Sequence, residues 1–406
     1  MLADRGHDIT VFSGTPAPTH RTESFFGATV CRLPCTDRRR FSTVAVPALV
    51  VEHERTPFDA AEIPDLFAEG AGLRAHAPAL PIIMRAHTPL YIPTEIDFHA
   101  LPTHGRWLSA LRRLLGGLRH RKAWRQTLRE ARARISFKNY FDPTHDSERA
   151  VAIEADLIVP PSRRLAERLL ADWSLPNDRI RILPYAHLPA ESLLALHPPE
   201  KLQTIGFHGS IRYFKGVNVL LGAMPTVLER HPETRLVLAG ASGATPLPDM
   251  SFGAWKRDRM LEWHDTYTLL KPQLRALGDR VLMRGFVPPD QLASHLAAVD
   301  ICVFPSLFDN FPSACLEAMS AARPIIATRS GGMQEMLDEG AAGVLVKPKK
   351  VNQLAQAICR LIENPDLART LSVRARARLR DIYSGEAVGP LHEAIYREAI
   401  DLRRAA

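Results

Sequence analysis

Two carboxylates separated by seven residues, Asp309 and Glu317, stand in the run Val303-Phe304-Pro305-Ser306-Leu307-Phe308-Asp309-Asn310-Phe311-Pro312-Ser313-Ala314-Cys315-Leu316-Glu317-Ala318-Met319. Ile301 to Phe304 reads as a short buried strand, Pro305 ends it, and a helix is expected from Pro312 or Ser313. The first turn of such a helix has N–H groups without intrahelical partners, which is an anion-binding geometry. Glu317 lies on a helix otherwise built from Ala, Cys, Leu and Met. A charge there is costly unless something hydrogen-bonds to it, and the expected partner is a ligand rich in hydroxyls.

Two further loops carry matching chemistry. Gly209-Ser210-Ile211-Arg212-Tyr213-Phe214-Lys215-Gly216 combines a pliable backbone with two cations ahead of a helix. For a diphosphate, Lys215 supplies a point charge, Arg212 a fork to two oxygens, and Gly216 a close approach of the backbone. Taken alone, a lysine at a helix start is more often a solvated charge. Ser330-Gly331-Gly332-Met333-Gln334-Glu335 places a glycine pair ahead of another helix. Ligands bind at the carboxyl ends of the strands in open α/β sheets, so the three loops are expected to converge.

The elements that must position them alternate. Strands are expected at Thr204-Ile205-Gly206-Phe207, Arg235 to Gly240, Asp279 to Met283, Ile301 to Phe304, Ile325-Ile326-Ala327 and Gly343 to Val346, with a helix from Val217 to Leu228. This pattern implies a mostly parallel sheet covered on both faces. The segment 241–277, with Trp255, Lys256, Trp263 and His264, is too long for an ordinary crossover and reads as an insertion. The first half is expected to hold strands at Asp8 to Phe12, Val44-Ala45-Val46, Leu49-Val50-Val51, Pro81 to Ala86, Leu157-Ile158-Val159 and Ile180 to Pro184, and a helix capped by Ser162. The division expected is an N-terminal domain 1–186, a Pro- and His-rich linker 187–201, a C-terminal domain 202–380, and a last helix within 381–406 packing back on the N-terminal domain.

Composition narrows the class. A chain of 406 residues with 46% hydrophobic and 24% charged residues suits two soluble domains. No apolar run nears the ~20 residues of a membrane-spanning helix, and the start lacks a signal-peptide core, which points to the cytoplasm. The five cysteines form no CxxC pair; Cys31 and Cys35 are a slight metal hint, and no metal site is expected. The net charge of +8 is concentrated between residues 106 and 138, where eleven Lys or Arg face one acid, Glu130. Interleaved Trp107, Leu111, Leu114, Leu118, Trp124 and Leu128 make this a basic amphipathic stretch. It suits an anionic membrane at the inner face, or a solvated basic face over a packed apolar stripe. No nucleic-acid motif accompanies it, so nucleic acid is not an expected partner.

The run Pro305-Ser306 through Glu317, with Ala318-Met319, Pro324-Ile325-Ile326-Ala327, Gly331-Gly332, Glu335, Gly340 and Gly343-Val344-Leu345-Val346, resembles the donor-site signature of glycosyltransferase family 4. Arg5-Gly6-His7-Asp8-Ile9-Thr10-Val11-Phe12, Ala155 to Ser162 and the Gly209 to Gly216 loop are similar to further segments of that family. The resemblance implies a GT-B fold, α/β, with two Rossmann-like doubly wound parallel-sheet domains facing across a cleft. It implies a retaining, metal-independent transfer of a sugar from a nucleotide-diphosphate sugar to a glycan, lipid-linked or other hydroxyl acceptor, without a cofactor.

Carried onto this chain, the resemblance makes Glu317 the ribose ligand and Asp309 the contact to the donor sugar, beside the Asn310-Phe311-Pro312 backbone. Lys215 and Arg212 would meet the diphosphate between Gly209 and Gly216, and Gly331 and Gly332 would offer backbone N–H groups. His87 would reach the transferred sugar. Three departures stand out. Asp309 replaces the usual Glu, Ser210 replaces a phosphate-binding Arg, and the family's first strand with its Gly-rich turn has no counterpart before Met1. The N-terminal domain is therefore expected to be incomplete at its start, with an opened core. The alternative is a non-catalytic sugar-nucleotide-binding or scaffold relative.

Overall fold

The computed structural model describes residues 1–100, 136, 141–240 and 266–405. Apart from Ser136, the basic stretch between residues 106 and 138 lies outside the described residues, as do the insertion residues Trp255, Lys256, Trp263 and His264. The chain divides into two compact units. One comprises Met1–Ile92, Asp142–Leu188 and Asp381–Ala406; the other comprises Pro93–Phe141 and Pro189–Arg380. The last helix, Gly385–Ala405, thus belongs to the unit that holds the chain start.

The unit containing Pro189–Arg380 is built on one six-stranded, all-parallel sheet. Its strands are β7 (Thr204–His208), β8 (Arg235–Ala239), β9 (Val281–Gly285), β10 (Ile301–Phe304), β11 (Ile325–Thr328) and β12 (Val344–Val346), in the order β12-β11-β10-β7-β8-β9. The order reverses between β7 and β10, which is the doubly wound arrangement with its switch point there. Every residue of β10 and β11 is buried, as expected of strands covered on both faces. One face packs Ile205, Phe207, Leu236, Leu238, Ile301 and Val303 with Leu220, Met224 and Val227 of the helix Val217–Arg230 and Leu354 and Ile358 of the helix Val351–Glu363.

The unit containing the chain start holds two three-stranded sheets rather than one. In the first, β1 (Thr10–Thr15) runs parallel to β3 (Ala28–Pro34), and β2 (Arg21–Phe25) pairs antiparallel to β3. The two-residue turn between β2 and β3 has Phe26 at φ 48° and Gly27 at φ 76°. Two positive φ values match the twist of a tight hairpin. The second sheet is parallel: β4 (Ala61–Pro64), β5 (Ile82–Arg85) and β6 (Leu157–Val159), in that order. Ile83, Leu157, Val159 and Leu183 pack with Val388, Ile395 and Ala399 of the last helix.

Two sequence expectations are corrected here. Val44-Ala45-Val46 and Leu49-Val50-Val51 are one helix, Ser42–Arg55, not two strands around Pro47. Burial at Ala45 and Val46 and half-burial at Leu49, Val50 and His53 follow helical spacing; short apolar runs do not separate the two states by composition. The segment from Ile180 to Pro184 is extended but forms only an isolated bridge, Ile158 to Ile180, with the N–H groups of Arg181 and Leu183 donating to Ile158 and Pro160 carbonyls. Pro184 has no N–H with which to continue the ladder.

Local chemistry fixes the loops of this unit. Ser162 caps the helix Arg163–Trp173, accepting the Leu165 N–H at 3.2 Å. Glu148, 4% exposed, accepts the backbone N–H of Phe67 at 2.9 Å and of Leu90 at 2.8 Å, tying the loop after β4 to the loop after β5. Burial, and next the charge of Asp65, push the Glu148 carboxyl up to about 8 against the pull of those two amides.

Ser162→Ala is expected to cost about 1 kcal/mol in a urea titration, the usual worth of an N-cap. For Glu148, the protonated form is the one the fold favours, so its contribution is full below the unfolded value of about 4.3 and is lost as pH rises through about 8. The unfolding free energy of the wild type should therefore fall more steeply between about pH 5 and pH 8 than that of Glu148→Gln, which has no proton to lose. Parallel profiles for the two proteins would refute this account.

Candidate functional site

At the switch point the backbone forces three loops together. The loop after β7 runs from Gly209 through the short turn Tyr213–Lys215 into the helix Val217–Arg230. The loop after β10 runs from Pro305 to Pro312 and into the helix Ser313–Ser320. The loop after β11 runs through Gly331 and Gly332 into the helix Met333–Met336. Gly216, at φ 72°, lies so close to the second loop that a Cβ would sit 1.9 Å from the Pro305 carbonyl oxygen. Gly331, at φ 57°, is in the same position against the Asp309 carbonyl oxygen, at 2.0 Å. No side chain fits at either place, so glycine is required for both left-handed conformation and contact.

Hydrogen bonds complete the lock. Leu307 N–H donates to the Phe214 carbonyl at 2.7 Å, and Gly332 N–H to the Asp309 carbonyl at 3.0 Å. The Thr328 hydroxyl donates to the Ser306 carbonyl at 2.5 Å, and the Ser330 hydroxyl to the Leu307 carbonyl at 2.6 Å. The segment 305–309 is thus held from both sides, and the charged residues it carries or faces have fixed positions.

Their pairing differs from the sequence expectation. Lys215 Nζ donates to Asp309 Oδ2 at 2.7 Å, and the Ser306 hydroxyl donates to the same oxygen at 3.0 Å. Glu317 Oε2 lies 2.8 Å from His208 Nε2. Both acids therefore have partners in the chain, where a ligand was the partner expected from sequence. Lys215 has three N–H donors, of which Asp309 takes one; the cation also sits 5.3 Å from the Phe214 ring centre. Arg212 is half-buried beside them.

The helices Val217–Arg230 and Ser313–Ser320 both begin without a side-chain cap, at Gly216 and Pro312. Uncapped first-turn N–H groups at a helix start are suited to an anion. Asn310 and Phe311, ahead of Pro312, are buried. Gly209, at φ 144°, and Gly332, at the start of the third helix, lie on the same three loops.

His87 belongs to the other unit and follows β5. Its backbone N–H and its Nδ1 both meet Asp65 Oδ1, at 3.0 and 3.2 Å. Asp65 is fully buried, and the His87 ring is half-exposed against Tyr185, with ring centres 5.6 Å apart. The Arg85 guanidinium lies over the Tyr185 ring, 5.1 Å from its centre. Asp65 fixes the tautomer, since Nδ1 must carry the proton it donates. Sequence reading missed Asp65 because β4, which delivers it, is only four residues long and carries Glu62 and Pro64.

Sequence reading also missed His208. The only signal was a polar residue ending an otherwise apolar strand just before Gly209. The cysteines carry no such chemistry: all five are free, burial pushes the Cys302 thiol up to about 12, and the Cys35 thiol donates to the Asp37 carbonyl. Among the described residues, no group of three or more His, Cys, Asp or Glu could hold a metal, and no helix is long and apolar enough to cross a membrane.

Comparison with known proteins adds the following. The chain is 25% identical over 272 residues to "Uncharacterized glycosyltransferase MJ1607" of Methanocaldococcus jannaschii, a match over 64% of this chain and 64% of that protein. It is 27% identical over 234 residues to a D-inositol 3-phosphate glycosyltransferase of Corynebacterium jeikeium, over 54% of this chain and 52% of that one. The matched region is thus between half and two thirds of the length of these relatives. Among solved structures, the sucrose-phosphate synthase of Thermosynechococcus elongatus superposes with a TM-score of 0.66 at 23% identity, covering 98% of this chain and 90% of that one. That likeness is one of fold, the parallel-sheet α/β architecture of GT-B proteins. Residues 203–364, which carry all three converging loops, match the family described as Glycosyl transferases group 1.

Proposed function

We propose that this chain transfers a sugar from a nucleotide-diphosphate sugar to a hydroxyl acceptor, a glycan or a lipid-linked sugar, with retention at the anomeric carbon and without a metal. The observation that carries the reading is the placement of Lys215, paired to an Asp309 carboxylate that Ser306 also holds, between two uncapped helix starts at the switch point of the sheet. Such a cluster stabilises charge that develops on a departing diphosphate, and it needs no strong base to do so. The match of residues 203–364 to the group 1 glycosyl transferases supports the same assignment.

In this reading Lys215 and Arg212, with the backbone between Gly209 and Gly216, hold the diphosphate. Asp309 meets the hydroxyls of the donor sugar alongside the Asn310-Phe311-Pro312 backbone, and Gly331 and Gly332 offer N–H groups. Glu317 takes the ribose hydroxyls. His87, oriented through Nδ1 by Asp65, is assigned to the transferred sugar.

The test is a panel of isotope-labelled uridine-, guanosine- and adenosine-diphosphate hexoses with mixed hydroxyl acceptors, following release of nucleoside diphosphate. One donor should turn over, with or without EDTA, and the product anomer read by NMR should match that of the donor. Lys215→Ala should lower kcat by about 10²-fold, the usual loss when one stabilising donor is removed from a transition state. Nucleotide binding with neither hydrolysis nor transfer would instead favour the non-catalytic binding protein.

A further inference from the structure

His208 ends β7 and meets Glu317 at the switch point, where Lys215 and Ser306 meet Asp309. A carboxylate oxygen only accepts, so the His208 ring carries a proton on Nε2, 2.8 Å from Glu317 Oε2. Its Nδ1 is buried and has no hydrogen-bond partner among the described residues. The ring lies 5.5 Å from that of His295, centre to centre, with the planes inclined by 38°. His295, on the helix Leu292–Ala297, is 1% exposed, and neither of its nitrogens has a hydrogen-bond partner among the described residues. Burial, then the nearby His208 and Arg284, push His295 down to about 4, so at neutral pH it is an uncharged plate.

His208 thus links the buried His295 ring to the Glu317 carboxylate. A glutamate side chain loses up to about 2 kcal/mol of rotamer freedom when it is held in one conformation. On the helix Ser313–Ser320 the adjacent Leu316 and Ala318 are apolar, and the Ser320 hydroxyl one turn on donates to the Leu316 carbonyl instead of to Glu317. His208 holds one oxygen, Oε2, and among the described residues no protein group donates to the other.

We propose that His208 is a positioning residue for ribose recognition: by holding Oε2 of Glu317 it presents Oε1 to the ribose hydroxyls of a nucleoside diphosphate, while the buried His295 ring keeps His208 in place. This rests on the donor-site reading given above. His208 touches neither the leaving group nor the sugar, and its effect is confined to how strongly the ribose is told from a sugar without hydroxyls.

The experiment is calorimetric titration of the full chain with uridine, guanosine and adenosine diphosphates and with their 2′,3′-dideoxy counterparts. The wild type should bind one ribonucleotide more tightly than its dideoxy form. His208→Ala should weaken that ribonucleotide roughly tenfold, about the worth of one hydrogen bond to a charged group, while leaving the dideoxy form within about twofold. His208→Gln, whose amide can donate to Glu317 from nearly the same place, should recover most of the loss. Equal weakening of both nucleotides, or no change in either, overturns the role of His208 while the donor site stands. A wild type that binds none of the six nucleotides overturns the donor-site reading itself, and this inference with it.

Discussion

Two contacts without room for a Cβ, Gly216 against the Pro305 carbonyl and Gly331 against the Asp309 carbonyl, are the constraint on which the site depends. Each demands a left-handed backbone as well as the space of a hydrogen atom, and each welds a neighbouring loop to the segment after β10. Without them the loops after β7 and β11 would stand away from residues 305–309 by the width of a side chain. Lys215 would then lose its 2.7 Å approach to Asp309. The ionic geometry is therefore a consequence of backbone packing, and backbone packing of strand order, since the reversal between β7 and β10 is what opens a crevice there.

Much of this was legible in the chain. In the unit containing Pro189–Arg380, short β-branched runs bounded by Gly and Pro fell on the six strands, because strands buried on both faces read as continuous apolar runs. The spacing of Asp309 and Glu317 placed one acid in a loop and the other about a turn into a helix, where both are found. Ser162 was readable as a cap for the same reason, since the signal is local.

What was not legible depended on contacts between residues far apart. His208 and Glu317 are separated by 109 positions, and Lys215 and Asp309 by 94. No periodicity announces such pairs; they follow from the order of strands, which sequence gives only as alternation. Asp65 and Glu148, which hold His87 and the loops around it, were hidden likewise, one behind a four-residue strand and the other 81 positions from the N–H it accepts at Phe67. The helix Ser42–Arg55 was misread because Val, Ala and Leu around Pro47 satisfy a strand pattern as well as a helical one, and only the partner surface decides.

The pairs also change the reason for assigning function to the two acids. From sequence, the argument was that a carboxylate on an apolar helix lacks a partner and so calls for a ligand. Glu317 has His208 and Asp309 has Lys215 and Ser306, so the cost of partial burial is met within the chain and that argument no longer stands. What replaces it is incompleteness of a different kind. Each acid is tied through one oxygen, Oε2 in Glu317 and Oδ2 in Asp309, and Lys215 gives one donor of three. In the proposed function these open atoms are what meets the donor, with the two uncapped helix starts beside them suited to its diphosphate.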